Sequence, residues 1–481
     1  MKRALVFLGL AYIISRSFVI THWPIFFDEA IYVRWAMVVY QDWTWKFVSL
    51  IDGKQPLFIW LTAFNLYFIK DAFLAGRLVS FAAGLINVFA IFWIGKKIFG
   101  AKTGIMAAFL YIIIPFYEIY DGLALMDTLL MTTALITTVF TLKLFERPNI
   151  KYALGLGITA GLGLLTKSSA LIYILMIPLA LLLVKTYKRE EIKKYVGFLA
   201  ISIFVAKLIE SVMRLSIYYP IIAEKNKVFS FTMEELLKMP LDVIFTNFKN
   251  IGVWLDGYFG FLIIFSALAI VVVRRNRKVL YLLLNFILPL LVAGVMGKQL
   301  YPRYILFMTW PMVILTAEFF IFLKTIIKNK LLWIVSLLII LYPVLYNNWF
   351  LYGDIFRLRI PEVERWQFLT GGPSGINLDQ VFSFIDSQKG KKILVIADQH
   401  NGIIGDSIAA KYFRDKNVVG VGVDGVDKGI IERKTEEVEP DRVYLLLSWQ
   451  GVPGDIPAEL VKEIKRPGKD NNWKIYKVRT E

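Results

Sequence analysis

Long apolar segments separated by short charged loops run through residues 4–349, and this repetition restricts the fold more than any other feature of the chain. Of the 481 residues, 57% are hydrophobic and only 19% are charged. A soluble domain carries about 25% charged residues, and a helix needs about 20 apolar residues to cross a membrane. The sequence therefore predicts a polytopic α-helical membrane protein.

The basic residues indicate how these segments are oriented. Lysine and arginine collect in cytoplasmic loops, and basic runs follow alternate segments at residues 96–102, 185–194 and 274–278. Placing these runs on one side predicts about 11 transmembrane helices, a cytoplasmic N-terminus and a C-terminus outside the plasma membrane. The same topology explains the net charge of +17. Nucleic-acid binding is not expected, because the charge is dispersed and forms no basic face.

The composition changes after residue 350, which divides the chain into a transmembrane domain (1–350) and an extracytoplasmic soluble domain (351–481). Residues 391–397 and 442–447 have the apolar runs of buried strands, and residues 406–413 between them have a helical pattern. This alternation predicts a small α/β domain. A Gly/Pro loop at 369–375 is either a structural turn or, less specifically, a phosphate-binding loop.

Cysteine and histidine are too rare in this chain to form several common kinds of functional site. The chain has no cysteine and two histidines, which excludes disulfides, thiol catalysis and a His-rich metal centre. Any chemistry must therefore rely on carboxylates, cations and hydroxyl groups.

Short external loops usually contain few lysines and arginines, but several charged residues lie on the predicted external face of this protein. The external loop 21–55 carries the adjacent acids Asp28 and Glu29. Neighbours on a helix point about 100° apart, so one would do chemistry and the other would support the fold. The further charged residues on this face are the acids Asp121 and Asp127 and the cations Lys54, Arg77, Lys167, Arg214, Lys298 and Arg303.

These charges are expensive to place near lipid, and together they indicate a polar cavity. Lysine and arginine recognise phosphate through charge-assisted hydrogen bonds. The alternatives are helix caps for Asp28 and Asp127 and anchors on lipid headgroups for the cations. For Lys298 we favour the anchor. Arg16, near the outer end of the first segment, is expected to extend its head to the membrane surface.

The order of these motifs resembles the GT-C superfamily of membrane glycosyltransferases, and within it the protein O-mannosyltransferase and aminoarabinose lipid A transferase group. The motifs are an external Asp-Glu, Lys-x-Pro-Leu at residues 54–57, Arg-Leu at 77–78, an external Asp before Thr-Leu-Leu at 127–130, Leu-Leu-Thr-Lys at 164–167, and Pro-Arg-Tyr at 302–304. They lie within residues 7–326. The soluble domain resembles no known activity.

The resemblance implies a polyprenyl-phosphate-linked sugar donor and transfer, with inversion, to a lipid, glycan or protein acceptor outside the cytoplasm. By position, Asp28 is the expected general base, with Glu29 and Asp127 as further catalytic candidates. The expected donor phosphate-binding residues are Lys54, Arg77, Lys167, Arg214 and Arg303. The resemblance implies no certain cofactor, and a divalent metal is the one candidate. Gly53 replaces the acid that some relatives have before the lysine, so a divalent metal there is doubtful.

Two other functions fit parts of the pattern. A lipid-linked saccharide transporter would show internal repeats with paired broken helices, and the sequence has no such repeat. An oligosaccharide-transferring enzyme would usually need a metal, and chelator insensitivity would count against it.

Overall fold

The protein is described by a computed structural model, which covers residues 1–184, 189–388, 390–398, 403–448, 451–468 and 472–479. Part of the basic run expected at 185–194 therefore lies outside the described residues.

Helices make up most of the first 351 residues, because an apolar run in lipid must satisfy its backbone hydrogen bonds internally. Their bounds are α1 Lys2–His22, α2 Phe27–Gln41, α3 Leu57–Asn65, α4 Ala72–Ile98, α5 Ala101–Ile113, α6 Pro115–Asp121, α7 Met126–Glu146, α8 Ile150–Thr166, α9 Ala170–Leu175, α10 Arg189–Glu210, α11 Ile221–Phe229, α12 Met233–Leu237, α13 Leu241–Phe259, α14 Phe261–Arg274, α15 Arg277–Met296, α16 Trp310–Ile326 and α17 Lys330–Leu351. Short 3₁₀ turns join some of them, at Trp43–Trp45, Val48–Asp52, Ile177–Leu183, Ser211–Leu215 and Pro302–Met308.

Within the described ranges, six helices are long and apolar enough to cross a membrane. Three bent pairs raise the number to nine if each is one span, and the sharpest bend, 104°, separates α13 from α14. Two shorter apolar stretches follow at Ile150–Thr166 and Ala170–Leu183. The multi-pass helical architecture is confirmed, and the count of about 11 crossings stays a prediction.

The segment 214–250 is largely helical. It contains α11, α12 and the first half of α13. The hydroxyl of Thr232 accepts a hydrogen bond from the Glu235 N–H (3.3 Å), and the Glu235 carboxylate accepts one from the Thr232 N–H (2.8 Å). This reciprocal cap begins α12, although the segment lacks the apolar run that marks the other helices.

A mixed five-stranded sheet forms the centre of the C-terminal region. Its strands are β1 Ile393–Asp398, β2 Val418–Val423, β3 Arg442–Leu447, β4 Ala458–Ile464 and β5 Trp473–Val478, in the spatial order β2-β1-β3-β5-β4. The first three strands are parallel, and β5 is antiparallel to both β3 and β4. The helices here are α18 Glu362–Arg365, α19 Leu378–Asp386, α20 Ile403–Lys411 and α21 Lys428–Val438, with a π-helical turn at Trp366–Thr370. The predicted small α/β domain is confirmed.

This C-terminal domain packs directly on the membrane helices. Buried residues of α19, β1 and β5 belong to the same apolar cluster as α1, α2 and α4. Arg414 donates a hydrogen bond to the Leu66 carbonyl at 2.6 Å, and the Phe413 ring contacts the Tyr40 ring edge-on at 5.6 Å. The domain therefore covers α2, the helix that carries Asp28.

Candidate active site

The two adjacent acids of α2 have different environments. Phe26 is extended, and its N–H donates to Glu29 Oε1 at 3.0 Å, so Glu29 caps the start of the helix. Glu29 is completely buried, whereas the Asp28 side chain is 19% exposed. Of the two neighbours, Asp28 is the one that solvent or a substrate can reach.

Glu29 and Arg77 form a buried pair. Arg77 donates from Nε and Nη2 to the Glu29 carboxylate at 2.9 and 3.0 Å, and Glu29 also accepts from the Ala124 N–H at 2.7 Å. Arg77 Nη1 donates to the carbonyls of Ile20 (2.7 Å) and Trp23 (3.1 Å). These contacts tie α4 to the end of α1 and the start of α2. They do not support the expected roles of Glu29 in catalysis and Arg77 in phosphate binding.

Asp28 instead pairs with Arg303. Arg303 Nη1 lies 2.7 Å from Asp28 Oδ2, in the 3₁₀ turn Pro302–Met308. Three aromatic rings surround the guanidinium, with centroids 5.4 to 5.6 Å from Cζ, and they belong to Phe26, Tyr301 and Tyr304. The motif Pro-Arg-Tyr thus supplies both the cation and one of the rings that hold it.

A second ion pair lies beside the first. Lys167 Nζ is 2.7 Å from Asp127 Oδ1 and 4.2 Å from the centroid of the Tyr304 ring. Tyr304 therefore contacts the cations of both pairs. Asp127 lies in the first turn of α7 and Lys167 follows α8, so residues 40 positions apart in the chain meet because the two helices pack together.

Lys54 completes the group of cations. Gly53 takes a left-handed conformation (φ 68°) that ends the turn Val48–Asp52. Lys54 Nζ then lies 4.9 Å from the Phe229 ring, which contacts Tyr304 edge-on at 6.4 Å. No carboxylate pairs with Lys54 among the described residues. Lys54, Lys167 and Arg303 thus converge on one aromatic wall, and we refer to them with Asp28 and Asp127 as the charged cluster.

Two other predicted cations lie apart from this cluster. Arg214 is exposed and stacks on Tyr219 at 5.3 Å. Lys298 pairs with Glu235 at 2.5 Å and donates to the Lys227 carbonyl at 2.9 Å. In the part of the chain that the structure describes, neither side chain pairs with Asp28 or Asp127, so the expected phosphate role of Arg214 has no support in these contacts.

The expectation for Arg16 was wrong. Its side chain is completely buried, with Nη2 3.2 Å from Asp121 Oδ2 and Nη1 3.7 Å from Glu118 Oε1. The guanidinium also donates to the Tyr111 carbonyl at 3.3 Å. A cation with acids and carbonyls around it need not extend to the membrane surface, and hydropathy alone does not reveal such partners.

A buried acid that the sequence analysis missed lies in the first helix of the C-terminal domain. Glu364 is completely buried, accepts a hydrogen bond from the Tyr120 hydroxyl, and has no partner for Oε2 among the described residues. Burial raises its pKa to about 8, with Asp127 contributing in the same direction. Residue type and spacing did not distinguish it from the exposed Glu362 nearby.

The Gly/Pro loop serves as a structural turn. The Gly371 N–H donates to the carbonyl of Trp366, just before the loop (2.7 Å), the Ser374 N–H to that of Gly371 (3.2 Å), and the Gly375 N–H to that of Ile25 (2.8 Å). A phosphate-binding loop needs such groups pointing at the ligand, so these contacts do not support that reading.

No group of three or more His, Asp or Glu side chains that would hold a metal occurs in the described ranges. Asp52, the acid closest in sequence to Lys54, pairs with Lys225 at 2.6 Å. Metal dependence stays a prediction.

Comparisons with known proteins agree with the resemblance. The family model of dolichyl-phosphate-mannose-protein mannosyltransferases matches residues 53–210. ArnT from Cupriavidus metallidurans in the apo state has a TM-score of 0.60 at 13% identity, covering 98% of this chain and 97% of that protein. Its complex with undecaprenyl phosphate gives 0.58 at 11% identity, with 98% and 97% covered.

A third solved structure is more distant. The Archaeoglobus fulgidus oligosaccharyltransferase in complex with zinc and sulfate gives a TM-score of 0.51 at 13% identity, covering 92% of this chain and 68% of that protein. No curated protein matches the sequence. The predicted resemblance to GT-C membrane glycosyltransferases is confirmed, and the chain has their fold.

Proposed function

We propose that this protein is an integral-membrane glycosyltransferase. It transfers a sugar from a polyprenyl-phosphate-linked donor to a lipid, glycan or protein acceptor at the external face, with inversion at the anomeric carbon. One observation carries the proposal. The partly exposed carboxylate of Asp28 forms an ion pair with Arg303 at 2.7 Å, and arginine is a residue type that binds phosphate. Arg303 lies on the same aromatic wall as Lys167 and Lys54.

The donor side of the reaction needs fixed positive charge. When the glycosidic bond to phosphate breaks, the bond's electron pair leaves with the lipid phosphate, which gains negative charge. Preorganised cations stabilise such charge most where water is partly excluded. Lys54, Lys167 and Arg303 supply three cations, and the partial burial of Lys167 and the burial of Arg303 strengthen their effect.

The acceptor side needs one base. An acceptor hydroxyl attacks the anomeric carbon from the face opposite the phosphate, and its proton passes to the Asp28 carboxylate. General base catalysis contributes on the order of 10²–10⁴-fold. Asp127, held by Lys167, is assigned to orient the sugar or Lys167 rather than to take this proton.

Two relatives support the donor class. The ArnT structure was solved bound to undecaprenyl phosphate, and the archaeal oligosaccharyltransferase AglB in complex with an inhibitory peptide and a dolichol-phosphate (TM-score 0.50, 12% identity). Both ligands are polyprenyl phosphates, the product that our scheme releases.

The test uses purified protein in liposomes with a panel of polyprenyl-phosphate-linked sugars and a membrane extract as acceptor, with and without a chelator. Release of free polyprenyl phosphate that depends on acceptor supports the proposal, and the active donor identifies the sugar. Movement of intact donor across the bilayer without release would replace the enzyme with a transporter.

A further inference from the structure

The C-terminal domain contacts the main chain directly before Asp28. The Phe27 N–H donates to the Pro373 carbonyl at 3.1 Å, and the Gly375 N–H donates to the Ile25 carbonyl at 2.8 Å. Phe26 and Ser374 thereby form an isolated antiparallel bridge. We call residues 371–375 the bridging loop. It fixes the residues from which α2 begins, and Asp28 is the second residue of that helix.

The bridging loop is itself held by the sheet. Arg466, which follows β4, donates from Nη2 to the Gly371 carbonyl at 3.0 Å and to the Ser374 carbonyl. Its guanidinium stacks on Trp473, the first residue of β5, at 4.3 Å. Ser374 Oγ donates to the Phe368 carbonyl at 2.6 Å. The position of the loop thus depends on groups that belong to the soluble domain.

The same domain also supports the partner of Asp28. The Phe368 ring meets the Phe26 ring edge-on at 5.1 Å, and the Phe26 ring lies 5.4 Å from Arg303 Cζ. Phe26 therefore connects the soluble domain to the guanidinium that pairs with Asp28. The soluble domain therefore supports both members of the ion pair. It supports Asp28 through the main chain before it, and Arg303 through the ring of Phe26.

From these contacts we propose that the C-terminal domain is a positioning element of the active site, acting through the bridging loop and its brace Arg466. This inference rests on the proposed function, since it assigns the positioning to Asp28 and Arg303. Catalytic geometry is sensitive at this scale, because a misplacement of about 1 Å lowers rates about 10²-fold. A domain that only covered the site or bound the acceptor would not need a main-chain bridge at Asp28.

The first variant is Gly375→Ala. A Cβ at this position would lie 2.6 Å from the Ile25 carbonyl oxygen, closer than real contacts allow, so the loop must move away from α2. Gly454→Ala is the matched control, because it makes the same change in the same domain with nothing within 4 Å of the new atom. We expect Gly375→Ala to lower kcat about 10- to 100-fold with the donor and acceptor KM values nearly unchanged. Gly454→Ala should behave as wild type.

The second pair of variants changes Arg466, which holds the bridging loop, and leaves the contacts of α2 itself unaltered. Arg466→Gln should lower kcat in the same way, and Arg466→Lys, which keeps a cation over Trp473, should restore part of it. This pair also serves if Gly375→Ala does not fold. A higher acceptor KM with wild-type kcat in either variant would overturn the proposal in favour of acceptor binding by the domain.

Hydrogen–deuterium exchange at residues 26–30 separates this inference from the proposed function. Gly375→Ala should speed exchange of the Phe27 amide, and Gly454→Ala should not. Faster exchange with wild-type kcat would refute the positioning role. If wild-type protein transfers no sugar from any donor but the exchange result holds, the proposed function has failed and the loop contact alone remains.

Discussion

Arg303 Nη1 lies 2.7 Å from Asp28 Oδ2, yet this nitrogen donates no hydrogen bond to any residue in the described part of the chain. The contact is an ion pair whose donors are not aligned on the carboxylate. The Nη1 donor is therefore available to a ligand, and a phosphate is one of the anions whose geometry matches the guanidinium fork.

Arg303→Lys tests the importance of this fork. Lysine keeps the charge but loses the planar pair of donors, so we predict that kcat falls about 10²- to 10³-fold, the scale seen when one transition-state donor is lost. Steady-state release of polyprenyl phosphate measures it. Arg479→Lys is the control, because Arg479 is exposed and has only a 3.5 Å surface pair. Wild-type kcat in Arg303→Lys would remove Arg303 from the phosphate site.

Lys167→Met tests the second cation. We predict a donor KM about tenfold higher, corresponding to the loss of about 1.4 kcal/mol of binding, because Met keeps the apolar stem and removes the charge. The loss of Lys167 also leaves the buried Asp127 unpaired, so the double variant Lys167→Met/Asp127→Asn is measured beside it.

The double variant should regain thermal stability and keep the high donor KM. Lys298→Met is the comparison on the same face, since Lys298 pairs with Glu235 and lies outside the charged cluster. An equal effect of Lys167→Met and Lys298→Met would indicate a general surface charge effect.

Arg77→Lys is predicted to act on stability. Lysine keeps the charge but loses the planar fork that donates to both Glu29 oxygens, and Arg77 also holds the Ile20 and Trp23 carbonyls. Thermal unfolding in detergent should show a clear drop in Tm, whereas Asp28→Asn should leave Tm unchanged. Near-wild-type Tm with a much weaker donor affinity would instead return Arg77 to the phosphate site.

Glu364 predicts a pH dependence of stability. Burial raises its pKa to about 8, above the value of about 4.3 for an unperturbed Glu. Between these values the folded state holds a proton that the unfolded state has lost, so this group's contribution to stability falls as pH rises from about 4 to 8 and then levels off. Glu364→Gln should flatten that part of the Tm–pH curve. An identical slope in both proteins would contradict the protonated, buried state of Glu364.

The sequence predicts the helical framework well because apolar runs report burial in lipid directly. An apolar run also predicts a strand of the sheet correctly, because residues 442–447 form β3. Strand β4 was not foreseen, because Glu459, Lys462 and Glu463 give it the charge of a surface segment. Its position at the sheet edge explains why such residues are tolerated there.

The sequence did not reveal which charged residues pair with each other in the folded protein. Asp28 and Glu29 are chemically alike and adjacent, and only packing shows that Glu29 faces Arg77 and Asp28 faces Arg303. Lys167 and Asp127 were both candidates, but their pairing depends on how α7 and α8 meet. The bridging loop was recognised as a turn, and its contact with α2 needs the folded C-terminal domain.

Asp28→Asn tests the central claim most directly. Single-turnover release of polyprenyl phosphate is measured in liposomes for wild type and variant, with donor affinity and Tm determined on the same preparations. We predict that the variant binds donor as wild type does, keeps its Tm, and loses at least about 100-fold in the rate, the lower end of general base catalysis. Release by Asp28→Asn at the wild-type rate would show that Asp28 is not the base.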